Sequence, residues 1–254
     1  MARPADESLD YADRWLRDGL QVLRPAFSVL QTTVDMTHAT AWLEDLRRTG
    51  VAATSTHLLV HAAARALADH PALHQMIAGN RREYPLRVDI GLSVTGESFV
   101  APVLIIERAD EKTVPEIVDE IRRRAPEVRQ ADERMLRALR RWGWLVPAGV
   151  VRRAILRRLF ASPAFRRKGV GTFQVSTVPV DWAFSSSFTT AGVLFAGQVS
   201  SRVVAIDGQP AARPIMTLTL SGDHAVWDGR AATRFLAAVK SELESSPTVA
   251  ALAV

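Results

Sequence analysis

No cysteine occurs among the 254 residues. Disulfides, a thiol nucleophile and any cysteine-ligated zinc or iron–sulfur centre are excluded with it. No apolar run reaches the roughly 18 residues of a membrane-spanning helix. Residues 1–10 (MARPADESLD) lack the apolar core of a secretory leader, so the expectation is a cytoplasmic chain. No Gly-x-Ser-x-Gly elbow occurs, which leaves a serine-hydrolase reading without its nucleophile. Internal repeats and linker-like low-complexity segments are also missing. Acidic residues are absent from 134–168, a stretch with eleven Arg or Lys. The whole chain carries +5, so the remainder carries −6. The basic pI belongs to one segment, and the rest of the surface would repel phosphate, which argues against a nucleic-acid partner.

What is present reads as a folded globular chain. The hydrophobic fraction is 48%, and the length gives room for one large domain or two small ones. Residues 26–35, 86–94, 98–106, 170–180, 191–200, 201–207 and 214–221 read as strands. Helical patterns cover 8–20, 37–48 (capped by Thr37), the run after a Ser55 or Thr56 cap to 69, 114–124 and 229–245. Thr95-Gly96 predicts a hairpin, Asp207-Gly208 a tight turn, and Thr113 with Glu116 a capping box. Hairpin-linked strands among helices predict an α/β fold, a mixed sheet with helices packed on it rather than a doubly wound parallel sheet. The tail after Pro247 reads as loose or as a short docking strand.

The most informative stretch is PIMTLTLSGDHAVWDG, 214–229. Met216, Leu218 and Leu220 alternate with Thr217, Thr219 and Ser221, the pattern of a strand with one face in a core. The strand breaks at Gly222, and His224 follows in a turn closed by Asp228-Gly229. A histidine fixed this way suits a general base. Two other histidine pairs, His57/His61 and His70/His74, are spaced to share a helix face. No acidic third ligand matches them, so no metal is expected. The Ser185–Ser187 run reads as a loop.

His-x-x-x-Asp-Gly after a Thr/Ser-rich strand resembles the active-site motif of dihydrolipoamide acyltransferase catalytic domains, the cores of 2-oxoacid dehydrogenase complexes. It also resembles that of chloramphenicol acetyltransferase, which shares Ala-Val after the histidine. Over 26–245 the segments VDMTHATAWLEDLR, THLLVHAAARALADHPALHQM, VDIGLSV with VAPVLIIERADEKTVPEIVDEI, GTFQVST, FTTAGVLFAGQV and LSGDHAVWDG are similar to that family's pieces in the same order. The chain departs from the family in having Ala225 after the histidine in place of arginine. It also has Pro179, Asp181 and Trp182 in place of a glycine-rich run, a basic insert at 134–168, and no lipoyl or subunit-binding domain.

The resemblance implies a chloramphenicol acetyltransferase-like two-layer α/β sandwich, with a helical arm at 1–25 before a catalytic domain at 26–254. It implies a homotrimer with active sites between subunits and acyl-CoA, in particular acetyl-CoA, as co-substrate, without metal or covalent lipoyl group. In the implied roles His224 is the general base and Ser176 the oxyanion donor. Asp228 supports the histidine loop through an ion pair with an arginine, for which Arg24 is a candidate, and Asp223 also fixes the loop. The lipoyl-free sequence suggests O-acylation of a small-molecule hydroxyl, as in enzymes that acetylate tetronate-type intermediates. A dehydrogenase-complex core acting on dihydrolipoyl groups and an inactive trimeric scaffold are the alternatives. The insert, with an apolar stripe of Val150, Val151, Ile155 and Leu159, reads as a helical cover over the sheet, a grip for coenzyme A phosphates or a membrane-surface helix.

Overall fold

The fold is organised around its longest strand, β9 (Gln209–Asp223). In this computed structural model, residues 10–22, 26–78, 81–98, 100–186 and 189–245 are described. Strands β1 (Phe27–Asp35) and β7 (Gly192–Ala196) flank the C-terminal part of β9, both antiparallel to it. Strand β8 (Ser200–Ile206) pairs with its N-terminal part. Beyond β7 come β6 (Phe173–Thr177), β4 (Ile90–Ser93) and β5 (Val103–Ile106), in the order β1-β9-β7-β6-β4-β5. The β7/β6 and β6/β4 pairs are parallel and β4/β5 is antiparallel, so the sheet is mixed. A two-stranded ribbon of β2 (Met76–Ala78) and β3 (Arg81–Glu83) stands apart from it.

One face of the sheet is covered by helices α2 (Thr37–Arg48), α3 (Ser55–Asp69) and α7 (Gly229–Glu244), with the first turns of α4 (Val114–Trp142). Leu218 and Leu220 of β9, with Ile90, Phe173, Val175 and Leu194, meet Leu59, Ile117 and Phe235 in one core. Phe173 and Phe235 cross edge to face at 5.4 Å. Ala62, Ala63, Ala64 and Ala66 of α3 are buried, where small side chains let the helix sit close to its neighbours. The opposite face of β9 is buried as well. Two of its hydroxyls accept hydrogen bonds there: Gln31 Nε2 donates to Thr219 Oγ1, and the Ser185 N–H donates to Ser221 Oγ.

A second helical layer lies over that opposite face near β6 and β4. It consists of α1 (Tyr11–Val22), the C-terminal half of α4, α5 (Gly149–Phe160) and α6 (Pro163–Val170). Arg152 Nε donates to Asp18 Oδ2 at 2.7 Å, and Arg153 reaches Oδ1 at 3.1 Å. The Asp18 side chain is 0% exposed and that of Arg152 3%, so the insert grips α1 through a fully desolvated pair. Three of the insert's eleven basic residues thus meet acids of the N-terminal segment, since Arg140 also donates to Asp10.

Several local expectations change. The helix begun by the Thr113/Glu116 capping box, which is present, does not stop at 124. It runs on for 29 residues through Pro126, which has no N–H for the Arg122 carbonyl. The basic insert therefore starts inside a helix. Strand β6 starts at 173 rather than 170, because Ser162 caps α6 and the helix carries on to Val170. The cap of α3 is Thr54, in a reciprocal box with His57, and the N–H of Thr37 is taken by Asp35 Oδ1. The expected stripe on α5 is exposed at Val150, Val151, Ile155 and Leu159. The inward face instead carries Arg152, Leu156 and Phe160, one helix row away. The Asp207-Gly208 turn forms as expected, with φ of 50° and 78°. The tail after Pro247 lies outside the described residues.

Burial holds His57, His61 and His74 below the ordinary imidazole value of 6.5. The Thr54 amide, Glu242 and Asp110 respectively oppose that shift without reversing it. As pH falls through about 6.5 the unfolded chain takes up protons that the folded chain refuses, so stability is full above that pH and is lost below it. Denaturant titrations between about pH 7.5 and 5.5 are expected to give a falling unfolding free energy, and His74→Asn should flatten the slope.

Candidate active site

His224 stands where β9 leaves the sheet. Its N–H donates to the Ala26 carbonyl at 2.7 Å, and Asp223 Oδ1 accepts from the N–H groups of Ala26 and Ala225, each at 3.0 Å. The loop is thus stitched to the segment entering β1. Below it lies Trp227, 3% exposed, with its indole N–H on the Ala191 carbonyl. Gly222 is required by this packing: a Cβ there would lie 1.9 Å from Trp227 Cζ2. The imidazole stacks over the same indole, with centroids 5.9 Å apart.

The His224 Nδ1 lies 3.0 Å from the Trp227 carbonyl oxygen. A carbonyl only accepts, so Nδ1 carries the proton and Nε2 keeps its lone pair. The geometry supplies a base whose ring is oriented by its own loop, with no carboxylate behind it. Asp228 does not face the imidazole; it caps α7 by accepting from the Ala231 N–H at 2.8 Å. Its expected ion pair is not formed among the described residues, and Arg24 lies outside them. An arginine does brace the loop, through the Val226 carbonyl: Arg82 Nη1 and Gln75 Nε2 both donate to it at 2.8 Å. These two residues carried no signal in the sequence, because they act on a backbone atom far along the chain. A cleft of about 520 Å³ opens here, bounded by Arg82, Tyr84, His224 and Asp228.

Ser176 is buried on β6, on the sheet face away from the core, opposite Phe195 of β7. Among the described residues its hydroxyl has no hydrogen-bond partner. Phe195 is in turn opposite Thr219 of β9, five positions before His224. Two strand spacings of about 4.8 Å and five rises of about 3.3 Å place Ser176 and His224 roughly 19 Å apart in one chain. A single subunit does not bring them together.

A second cavity, of about 620 Å³, lies between the sheet and the outer helical layer, lined by two neighbours of Ser176 rather than by Ser176 itself. Gln174 and Phe195 form part of its floor, and Leu139, Leu156 and Phe160 part of its roof. Gln174 Oε1 and Thr189 Oγ1 are buried in its lining without partners among the described residues. The other histidines have local roles: His57 Nδ1 accepts from the Thr54 N–H, His70 Nδ1 donates to the Ala66 carbonyl, and His74 Nε2 meets Thr172. Among the described residues no three His, Asp or Glu side chains converge as metal ligands. No described helix is long and apolar enough to cross a membrane.

The family model of the 2-oxoacid dehydrogenase acyltransferase catalytic domain matches residues 23–135 and 189–252, well over half of the chain. The chain belongs to this family. The match includes His224 and Asp228. It omits 136–188, and with them α5, α6 and β6 with Ser176. A similar relative is the dihydrolipoyllysine-residue succinyltransferase component of a 2-oxoglutarate dehydrogenase complex from Bartonella vinsonii subsp. berkhoffii. It is 30% identical over 72% of this chain and 38% of its own length. Another is the lipoamide acyltransferase component of the branched-chain alpha-keto acid dehydrogenase complex of Bacillus subtilis, 29% identical over 84% of this chain and 45% of that one. The chain therefore spans less than half the length of these two relatives. Among solved structures, a dihydrolipoamide acetyltransferase of Azotobacter vinelandii superposes with a TM-score of 0.71 at 18% identity, covering 99% of this chain and 95% of that one. A probable dihydrolipoamide acetyltransferase of Listeria monocytogenes gives 0.69 at 20% identity over 95% and 94%. The chain shares the fold of those two structures.

Proposed function

We propose that this acyltransferase moves an acyl group between the thiol of coenzyme A and the thiol of a dihydrolipoyl group, with His224 as the base. The observation that carries this reading is the Nδ1 contact to the Trp227 carbonyl, which leaves Nε2 free to accept a proton. Nε2 takes the proton of the attacking thiol, and the sulfur adds to the thioester carbonyl. The Ser176 hydroxyl donates to the resulting oxyanion. Collapse expels the second sulfur, which regains the proton from His224. One carbon–sulfur bond forms and one breaks, and no proton is lost. The roughly 19 Å between the two residues within one chain supports a site shared by two subunits, as in the homotrimer that the sequence resemblance implies. The relatives, both lipoamide-linked acyltransferase components, favour the dihydrolipoyl acceptor over a small-molecule hydroxyl.

A second reading keeps the same base and oxyanion donor but uses a hydroxylated acceptor. What favours it is the cavity lined by Gln174 and Phe195, the neighbours of Ser176, and roofed largely by helical segments that the family model does not match. Thiol release from acetyl-CoA by the purified protein separates the two. Turnover that depends on dihydrolipoamide supports the first reading. Turnover only with hydroxylated acceptors moves the assignment to the second, and turnover with neither rejects both.

A further inference from the structure

The 620 Å³ cavity lies in the size range of small-molecule sites, about 300–1,000 Å³. Its walls are aliphatic and aromatic: Leu16 and Leu20 from α1, Leu139 from α4, Leu156 and Phe160 from α5, and Val193 from the floor. Within them are two polar atoms with no partner among the described residues, Gln174 Oε1 and Thr189 Oγ1. Thr189 is 9% exposed, and its own carbonyl is already taken by Arg166. Unsatisfied buried polar atoms are costly and rare in a folded chain, and here both border the same space. The amide oxygen only accepts, whereas the threonine hydroxyl can also donate. A hydroxyl on an otherwise apolar ligand, donating to the amide oxygen and accepting from the threonine, would suit both.

Position connects the cavity to chemistry. Gln174 is two residues before Ser176 on the same face of β6, and Phe195 is the cross-strand neighbour of Ser176. The end of the cavity at Gln174 and Phe195 is therefore the one nearest Ser176, which is not itself part of the lining. We infer that this cavity binds a linear aliphatic chain bearing a hydrogen-bond donor, and that the chain belongs to one of the two reactants. The link to reactants rests on the role proposed for Ser176; the binding does not. The chain can arrive on the acyl group of the thioester or on the acceptor, and its chemistry in the cavity is the same.

Calorimetric titration of the full chain in its native assembly tests this with two probe series. One is the n-alkanols from butanol to decanol, and the other is the saturated acyl-CoA thioesters from acetyl to decanoyl. In the series that uses the cavity, affinity is expected to rise about fourfold per added methylene until the space is filled. A slope with alkanols assigns the cavity to the acceptor, and a slope with thioesters alone assigns it to the acyl group. Leu156→Trp and, from a different helix, Leu139→Phe fill the cavity and should abolish the slope, while Leu156→Met keeps it. A flat response in both series, or a slope unchanged in both filled variants that remain folded, overturns the inference. These titrations need no turnover. A slope retained by a protein that fails the dihydrolipoamide assay would sink the proposed function alone, and a flat response from an active enzyme would sink the cavity alone.

Discussion

Replacing His224 by alanine is expected to lower thiol release from acetyl-CoA by about 10²–10⁴-fold, the usual contribution of a positioned general base. The side chain is exposed at the end of its strand, and its hydrogen bond is to the carbonyl of its own loop. Its removal should therefore cost only about 1 kcal/mol of stability, so the loss of rate will not be a loss of fold. Ser176→Ala should lose about 10²–10³-fold as an oxyanion donor does. The placement of these residues adds a sharper test. Each variant chain lacks a different half of the machinery, and within one chain the halves lie roughly 19 Å apart. Dissociating and reassembling the two variants together should restore part of the activity, because some interfaces then pair an intact serine with an intact histidine. A mixture no more active than its parents would mean that each chain carries a complete site, or that one of the two residues has no role.

The largest effect on stability is expected at the other end of the molecule. Asp18→Ala leaves Arg152 buried with its charge uncompensated, and such losses cost about 3–5 kcal/mol. For a domain of this size each kcal/mol moves the melting temperature by about 2–4 °C, so a fall of roughly 6–20 °C is expected. The Arg152 Nη1 bonds to the Val146 and Pro147 carbonyls hold the guanidinium in place and prevent it from swinging out to water. Replacing both partners together, Asp18→Leu with Arg152→Met, should recover most of the loss, since a well-packed apolar pair avoids the desolvation penalty. If the single and double variants melt alike, the ion pair is not what docks α1 on the insert.

Features written into short stretches were legible in the sequence, and features assembled from distant stretches were not. The capping box at Thr113, the turn at Asp207 and the histidine motif each depend on neighbours within a few residues, and the mixed sheet follows from strand patterns and hairpin links. The brace on the His224 loop escaped because Gln75 and Arg82 act on a main-chain oxygen, which no side-chain motif encodes. The inward face of α5 was misassigned because its anchor is an arginine. A helix wheel scored by hydrophobicity turns Arg152 outward, and only the buried carboxylate of Asp18, more than a hundred residues earlier, reverses that choice. Helix α4 outran its expected end because a proline after the first turns looks like a stop. Here the packing of Leu136 and Leu139 sustains the helix beyond it.

The outer layer also bears on how such a fold can change. Apart from α1, the roof of the cavity is one contiguous excursion of the chain between β5, which ends at Ile106, and β6, which begins at Phe173. The entropy of closing such an excursion grows only with the logarithm of its length, so even a doubling adds about 0.6 kcal/mol. The strands at its two ends are held in register by the rest of the sheet whatever happens between them. The part of the crossover from the C-terminal half of α4 to α6 can therefore lengthen, shorten or be exchanged with little closure penalty, while the first turns of α4, with Ile117, stay in the core. Each new version would redraw the chamber lined by Gln174 and Phe195 while leaving the histidine loop untouched.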